Sequence, residues 1–191
     1  MTLPPSGAGS RRARSPVMAR QRPPARPAGV PAPSTSTAPM EFAMPIRYEH
    51  AVTVATTPER AFATIDDLPA TAVWLPPCVS LEKVGPGPNA PGDRLRYVFE
   101  QGGRRQEMAG EILDRVPGER LHCRYTDVAF DVWVDLRVSA AAGGALTTHT
   151  ITILPKTLVG TMLSPLIRLG LGKQTRDAAA NLKKLLEEGA C

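Results

Sequence analysis

With 191 residues and a formal net charge of +5, the chain is basic as a whole, but its charges are unevenly distributed. Residues 1–40 hold nine prolines, six arginines and no acidic residue, which leaves residues 41–191 with 17 basic and 18 acidic groups. A net charge of −1 on this part removes the main argument for a nucleic-acid-binding domain, which needs a basic patch on its folded surface.

The composition predicts a disordered tail over residues 1–40 and one folded domain over residues 41–191. A proline-rich, polar segment buries too little apolar surface to offset its ordering entropy. About 150 residues, in contrast, suffice for a single hydrophobic core. Whether the tail belongs to the mature protein stays open, because translation starting at Met40 or Met44 is an alternative.

The cysteines and the apolar segments predict where the protein resides. Cys78, Cys123 and Cys191 are scattered and odd in number, which suits a reducing compartment better than a disulfide framework. No apolar stretch typical of a secretory signal follows the arginines of the tail. The apolar run over residues 158–171 is too short for a membrane span and contains Arg168. We therefore expect a cytoplasmic protein without a transmembrane segment.

The folded region is predicted to begin with a strand and two short helices. Residues 46–54 alternate with the period of two that is typical of a strand. Thr57 can cap a helix that has Pro58 at its first position. A second short helix reaches Trp74, before two consecutive prolines.

Six more strands follow, separated by short turns. They are predicted over residues 78–84, 93–101, 104–116, 119–127, 130–138 and 145–154. Gly102 and Gly103 indicate a tight hairpin between the second and third of these strands. Short turns imply antiparallel neighbours, and one polar face on each strand implies a sheet that is covered on one side only.

A long C-terminal helix is the predicted cover. Ser164 and Pro165 are typical of a helix start, and Gly189 is typical of a stop. The apolar stripe between them consists of Leu171, Thr175, Ala178, Leu182 and Leu185. The element order predicts an α+β fold, in which a curved seven-stranded antiparallel sheet wraps around the long helix and two short helices follow strand 1.

Several short motifs occur in a specific order along this region. They are TPERAF at 57–62, DLP at 67–69, WLP at 74–76, GDR at 92–94, GEI at 110–112, VPGERL at 116–121 and TTHT at 147–150. In this order the chain resembles the START-like (SRPBCC) superfamily, in its polyketide cyclase/dehydrase and lipid transport branch, over about residues 45–188. The resemblance implies a helix-grip fold whose cavity holds lipids, polyketides, isoprenoid quinones or hormones in relatives. It implies no catalytic residue, because the family has no universal catalytic motif.

A ligand cavity is predicted between the sheet and the helix. Strand alternation places one set of side chains under the helix, and residues 170–180 of the helix include several glycines and alanines. The predicted cavity residues are Tyr97, Phe99, Met108, Cys123, Tyr125, Val132, Val134, His149, Ala178 and Leu182. For each of them, the alternative is a side chain that simply fills the core.

Tyr97, Tyr125 and His149 are the candidates for proton transfer, should the protein catalyse a reaction. An imidazole titrates near neutral pH, and a buried tyrosine hydroxyl needs a hydrogen-bond partner. A structural, hydrogen-bonded role is the alternative for all three. The histidines and cysteines show no metal-ligand spacing, and no cofactor motif occurs, so neither a metal nor a cofactor is expected.

Two pairs of charged residues are predicted to lie on the surface. Arg104 and Arg105 follow the hairpin turn, where one of them could anchor an anionic head group at a cavity mouth, although ordinary surface arginines are favoured. Asp66 and Asp67 end a helix and are expected to be solvated.

Three functions remain open at this point. The first, which is favoured, is the binding or carrying of a hydrophobic small molecule (a lipid, polyketide or isoprenoid-like compound) by a monomer or weak dimer. The second is an aromatase/cyclase-type enzyme that acts on a polyketide-like substrate. The third is a protein-interaction module that uses the outward-facing Trp133, which lies between Asp131 and Asp135.

Overall fold

The computed structural model describes residues 44–188. In chain order the elements are β1 (Ile46–Val54), α1 (Pro58–Asp66), α2 (Thr71–Trp74), β2 (Cys78–Lys83), β3 (Arg94–Gln101), β4 (Arg104–Val116), β5 (Arg120–Thr126), β6 (Phe130–Ala141), β7 (Gly144–Pro155) and α3 (Leu158–Glu188). The tail predicted to be disordered and the predicted helix stop at Gly189 lie outside the described residues.

The seven strands form one curved antiparallel sheet in the order β1-β7-β6-β5-β4-β3-β2. The first strand pairs with the last along its whole length, from Ile46 opposite Ile153 to Val54 opposite Ala145. Because β1 and β2 lie at opposite edges, α1 and α2 connect the two edges of the sheet. The predicted α+β helix-grip fold is therefore confirmed.

Glycines shape the tight hairpins of the sheet. Gly102 and Gly103 have φ angles of 61° and 73°, which other residues rarely adopt, and they join β3 to β4 in two residues as predicted. The β6–β7 ladder extends to the pair Ala141 and Gly144. Strand β6 is consequently three residues longer than its alternation pattern predicted, since a two-residue turn lets the ladder run to its end.

Helix α1 begins as predicted, but its last residue is not solvated. The Thr57 hydroxyl accepts a hydrogen bond of 3.3 Å from the Arg60 amide, and Pro58 occupies the first turn. At the other end, the Arg115 guanidinium donates to both carboxylate oxygens of Asp66, at 2.8 and 2.6 Å. The prediction for Asp66 was wrong because local sequence does not show that Arg115 of β4 lies beside the end of α1.

Helix α3 begins at Leu158, so the predicted start at Ser164 is wrong. The Thr157 hydroxyl accepts a hydrogen bond of 3.1 Å from the Gly160 amide, which is a capping geometry, and Pro165 lies inside the helix. A Cβ on Gly160 would lie 3.1 Å from the Phe130 ring. This close packing against β6 favours a helix start at Leu158, although proline by itself prefers the first turn of a helix.

The two halves of α3 differ in what they contact. The stretch from Leu171 onward packs on the sheet through residues that are buried at helical spacing, namely Leu171, Thr175, Ala178, Ala179, Leu182 and Leu186. In the N-terminal half, Met162, Leu166 and Leu169 are 71–82% exposed. The helix therefore contacts the sheet closely at Gly160 and from Leu171 onward, and the exposed apolar side chains lie between these two contacts.

Candidate functional site

A cavity of about 550 Å³ lies between the inner face of the sheet and α3. Ile65 of α1 and Leu75 after α2 contribute to one wall, strands β2–β7 form the floor, and Leu171 of α3 lies on the opposite side. Most lining side chains are apolar, as ligand pockets for apolar molecules generally are.

Eight of the ten side chains predicted for a cavity line this one. They are Tyr97, Phe99, Met108, Cys123, Tyr125, Val132, Val134 and His149. Ala178 and Leu182 lie elsewhere: both are buried in the core and border a separate space of about 10 Å³ beside His50. In α3 the cavity instead contacts residues one to three turns nearer the N-terminus, since the C-terminal half packs directly on the sheet.

Three aromatic rings form a cluster on the cavity floor. The ring centroids of Tyr97 and Phe99 are 5.4 Å apart and nearly parallel, and those of Tyr97 and Tyr125 are 5.2 Å apart. Gly110, opposite Tyr125 in the β4–β5 ladder, makes room for the cluster. A Cβ on Gly110 would lie 2.7 Å from the Tyr125 ring. A glycine within a strand is the sequence signal for such a close approach.

The polar groups of the cluster keep their protons. Burial raises the pKa of Tyr97 and that of Tyr125 above their ordinary values. Burial also raises the pKa of the Cys123 thiol to about 12, although the hydrogen bond from Tyr125 acts in the opposite direction. Near neutral pH these side chains are thus neutral, and the Tyr97 hydroxyl can donate a hydrogen bond to a bound molecule.

His149 lies at the inner end of the cavity and is only 7% exposed. It pairs with His50 on β1 and with Leu136 on β6. Burial is the main cause that lowers the pKa of His149 to about 4, and the neighbouring His50 is a second cause. The imidazole is therefore uncharged near neutral pH.

Helix α2 supplies cavity residues that strand alternation could not predict. Thr71 and Trp74 are 4% and 2% exposed, and both line the cavity. The Trp74 ring meets the His149 ring edge to face, with centroids 6.1 Å apart. The Asn181 amide of α3 donates to the Trp74 carbonyl over 3.3 Å, which fixes α2 against α3. The sequence showed Trp74 only as the end of a short helix.

The mouth of the cavity is bordered by three segments. They are the β3–β4 hairpin at Gln101 and Gln106, the β5–β6 connection at Asp127, and α3 at Leu166 and Gly170. The Asp127 carboxylate accepts hydrogen bonds of 2.7 Å from the amides of residues 129 and 130, so one of its oxygens already has two donors.

The arginines of the hairpin lie outside the lining. Arg104 and Arg105 are both exposed, and the Arg105 guanidinium contacts Glu100 at 3.5 Å. This position agrees with the favoured interpretation of ordinary surface arginines.

The outer face of the sheet carries a network of charges. Arg120 donates to Asp135 and Asp114 at 2.8–2.9 Å and lies beside His122, which is half-buried. Trp133 faces outward as predicted, with the Arg124 guanidinium 5.7 Å from its ring centroid. A protein-interaction role for this face stays a prediction.

Neither a metal site nor a membrane helix is found in the part of the chain that is described. Residues 44–188 contain no group of three or more side chains that could hold a metal ion. None of the helices within these residues is long and apolar enough to cross a membrane.

The sequence match that decides the family covers most of this region. The family described as polyketide cyclase / dehydrase and lipid transport matches residues 45–187. The chain belongs to this family. Among curated proteins, no sequence matches the chain.

Solved structures of the same fold include members of the wider superfamily. A protein from Thermus thermophilus superposes with a TM-score of 0.63 at 18% identity, over 78% of this chain and 100% of its own. A START superfamily protein from Mycobacterium smegmatis gives a TM-score of 0.62 at 15% identity, over 74% and 97%.

The di-domain ARO/CYC StfQ from the steffimycin biosynthetic pathway gives a TM-score of 0.62 at 13% identity. The match covers 76% of this chain and 52% of StfQ, so this chain spans about half the length of that protein. At these identities, the superpositions with all three proteins show the shared fold alone.

Proposed function

We propose that this protein binds and carries a hydrophobic small molecule, such as a lipid, a polyketide or an isoprenoid-like compound. The observation that carries the proposal is the cavity of about 550 Å³ with its mostly apolar lining. Its volume falls in the range of ligand pockets, roughly 300–1,000 Å³.

The size of the cavity argues against a simple packing defect. At about 24 cal/mol per Å³, an enclosed void of this volume would cost roughly 13 kcal/mol, as much as the whole stability of a typical domain. Water entering through the mouth lowers this cost but solvates an apolar surface poorly. A bound apolar molecule removes that surface from water and so stabilises the domain.

The protonation states favour binding over catalysis. A general acid or base works best with a pKa near the working pH. Burial instead lowers the pKa of His149 to about 4 and raises those of Tyr97 and Tyr125, which makes the imidazole a weak base and the phenols weak acids. These groups suit hydrogen bonding to a ligand better than proton transfer.

Native mass spectrometry of the full chain tests the proposal directly. We expect a discrete added mass from an apolar molecule, or its uptake from a supplied apolar probe. Val134→Phe places a larger side chain in the cavity lining and should abolish the added mass. The matched variant Val98→Phe lies on a strand position that does not line the cavity and should retain it. A bare chain that takes up no probe would contradict the proposal.

A polyketide cyclase activity is the second candidate. The observation in its favour is that two phenol hydroxyls, of Tyr97 and Tyr125, border the same cavity as the His149 imidazole. We expect such an enzyme to convert a reactive polyketide mimic, with a large loss of kcat in Tyr97→Phe but little change in KM. Binding of the mimic without turnover would contradict the cyclase activity and would leave the carrier function as the proposal.

We further propose that the protein acts in the cytoplasm, as a monomer or weak dimer. Cys78 and Cys123 are both buried free thiols, which suits a reducing compartment. Equilibrium sedimentation of the full chain would measure its oligomeric state.

A further inference from the structure

The most exposed apolar side chains that the structure describes lie at one end of the sheet. They are Met44, Val128, Met162, Leu166 and Leu169, with exposed fractions of 71–90%. The other exposed large apolar side chains of the described residues reach at most 66%. Single apolar residues are normal on a protein surface, but a group of them marks an interaction site.

Strand pairing places the first two of these side chains at the end of the sheet where β7 leads into α3. Met44 lies two residues before Ile46, which pairs with Ile153 near the end of β7. Val128 lies in the β5–β6 connection, two residues before Phe130, which pairs with the last residue of β7. Both apolar side chains are therefore close to the start of the helix.

Helix α3 carries the other three side chains at this same end. A Cβ on Gly160 would lie 3.2 Å from the carbonyl oxygen of Ala129, so the first turn of the helix contacts the β5–β6 connection. Met162, Leu166 and Leu169 follow at spacings of four and three residues, which places them on one face of the helix. Leu166 also lines the mouth of the cavity. We call the five exposed side chains the mouth patch.

The helix that carries most of the mouth patch is basic. Residues 158–176 include three basic side chains and no acidic one, namely Arg168, Lys173 and Arg176. Lys173 pairs with Asp177 in the following turn, and Arg104 is exposed in the hairpin that borders the mouth on another side. An apolar helix face with basic neighbours is typical of a helix that lies on a membrane surface. The same charges oppose docking of this face on a second copy of the chain.

We infer that the mouth patch docks on a membrane surface that contains anionic lipids. The apolar side chains enter the boundary between headgroups and acyl chains, and the basic residues attract the headgroups. The part of the inference that concerns cargo rests on the proposed function. With the mouth against the bilayer, an apolar molecule passes between the membrane and the cavity without crossing water.

Sedimentation of the full chain with sucrose-loaded vesicles tests the docking. One set of vesicles consists of phosphatidylcholine alone, and the other contains about 30% phosphatidylserine. We expect binding to the second set to be at least about tenfold stronger at low salt, because basic residues near an anionic surface are attracted to it. Binding that is equal for the two sets, or absent from both, would overturn the inference.

A double variant tests whether the mouth patch makes the contact. Met162→Gln/Leu169→Gln removes two apolar side chains that do not line the cavity, and glutamine is a good helix former. We expect binding to the anionic vesicles to weaken by about tenfold or more, since the apolar surface that enters the membrane is lost.

The matched control changes two exposed apolar side chains at the opposite end of the sheet. The Val84 amide donates to the Arg94 carbonyl at the start of β3, and Val116 ends β4. Val84→Gln/Val116→Gln should therefore bind the anionic vesicles as the wild-type chain does. If Met162→Gln/Leu169→Gln does not fold, Val128→Gln, in the connection between strands, replaces it and should weaken binding about threefold or more.

The outcomes separate the docking from the carrier function. If Met162→Gln/Leu169→Gln bound as tightly as the wild-type chain, basic residues elsewhere, such as the six arginines of residues 1–40, would account for the binding, and the inference would be overturned. A wild-type dimer that this variant dissociates would overturn it as well, because a second copy would then cover the patch.

Uptake of an apolar fluorescent probe by the full chain in the absence of vesicles measures the carrier function independently. A chain that takes up the probe but binds no vesicles retains the carrier function and contradicts the docking. A chain that binds vesicles through the mouth patch but takes up no probe supports the docking and contradicts the carrier function.

Discussion

At the scale of the residue, the imidazole of His149 shows how burial sets the chemistry of the site. Its neighbours are the Trp74 ring, Leu136 and the second imidazole, of His50. None of these carries a compensating negative charge, so a protonated His149 would be buried without a partner. The folded protein therefore strongly prefers the neutral ring.

This preference predicts a loss of stability in mild acid. The pKa of His149 is 6.5 in the unfolded reference and about 4 in the folded protein. The unfolded chain binds the proton first, so the free energy of unfolding decreases as the pH falls from about 6.5 toward 4. Between pH 7 and pH 5 we expect a loss of about 2 kcal/mol in urea unfolding.

The variant His149→Gln separates this effect from other titrations. The pKa of His122 is also lowered, mainly by burial, and contributes with the same sign. Carboxylates with a lowered pKa, such as Asp135, titrate below this window. His149→Gln should lose most of the pH dependence between pH 7 and pH 5. If the wild-type protein and the variant lost equal free energy of unfolding between pH 7 and pH 5, His149 would not be buried in its neutral form.

At the scale of the elements, the cavity depends on how the strands and α3 approach one another. β4 and β5 come together at Gly110, where the Tyr125 ring lies across the neighbouring strand. α3 approaches the sheet closely at Gly160 and from Leu171 onward, but between these contacts it leaves Leu166 and Leu169 exposed. Small residues thus decide where the sheet and the helix touch and where a space remains.

A pair of Gly→Ala variants tests this account of the cavity floor. In Gly110→Ala, the new methyl group would lie 2.7 Å from the Tyr125 ring, which must then move into the cavity. We expect a loss of about 1–3 kcal/mol in the free energy of unfolding, and weaker binding of apolar probes.

Gly170→Ala is the control for the stability measurement in this test. A Cβ at Gly170 meets nothing within 4 Å, and the residue lies inside α3, where alanine is the better helix former. We expect this substitution to raise the free energy of unfolding by about 0.5–1 kcal/mol. If Gly110→Ala were as stable as the wild-type protein, the close contact with Tyr125 would not exist in solution.

At the scale of the whole molecule, the described fold contains the elements that form the cavity. All seven strands and three helices lie within residues 46–188, and the family match covers residues 45–187. The core clusters likewise consist of side chains from Ile46 to Leu186. No cavity residue that the structure describes precedes Ile65.

A truncation tests the domain boundary that the composition predicts. A chain that begins at Met40 lacks the proline-rich segment. Its free energy of unfolding should lie within about 0.5 kcal/mol of that of the full chain, since that segment has little apolar surface to bury. Chemical denaturation of both chains, together with probe binding, measures the difference. A loss of more than about 1 kcal/mol, or of binding, would show that residues 1–39 contribute to the fold.

The sequence by itself determined the order of the elements, because strand alternation, helix caps and glycine turns are local signals. The bounds of β1 and β4 and the start of α1 at Pro58 were predicted correctly for this reason. Alternation also indicated the inner faces, so Tyr97 and Val134 were placed on the correct side.

Only the tertiary structure decided which residues meet across the fold. Arg115 lies 49 residues from Asp66, and Asn181 lies 107 residues from Trp74, so no local pattern links them. The early start of α3 depends in the same way on packing against β6. The contact between the Trp74 and His149 rings joins α2 to β7, and such long-range contacts follow from how the sheet curves around the helix, which local propensity does not specify.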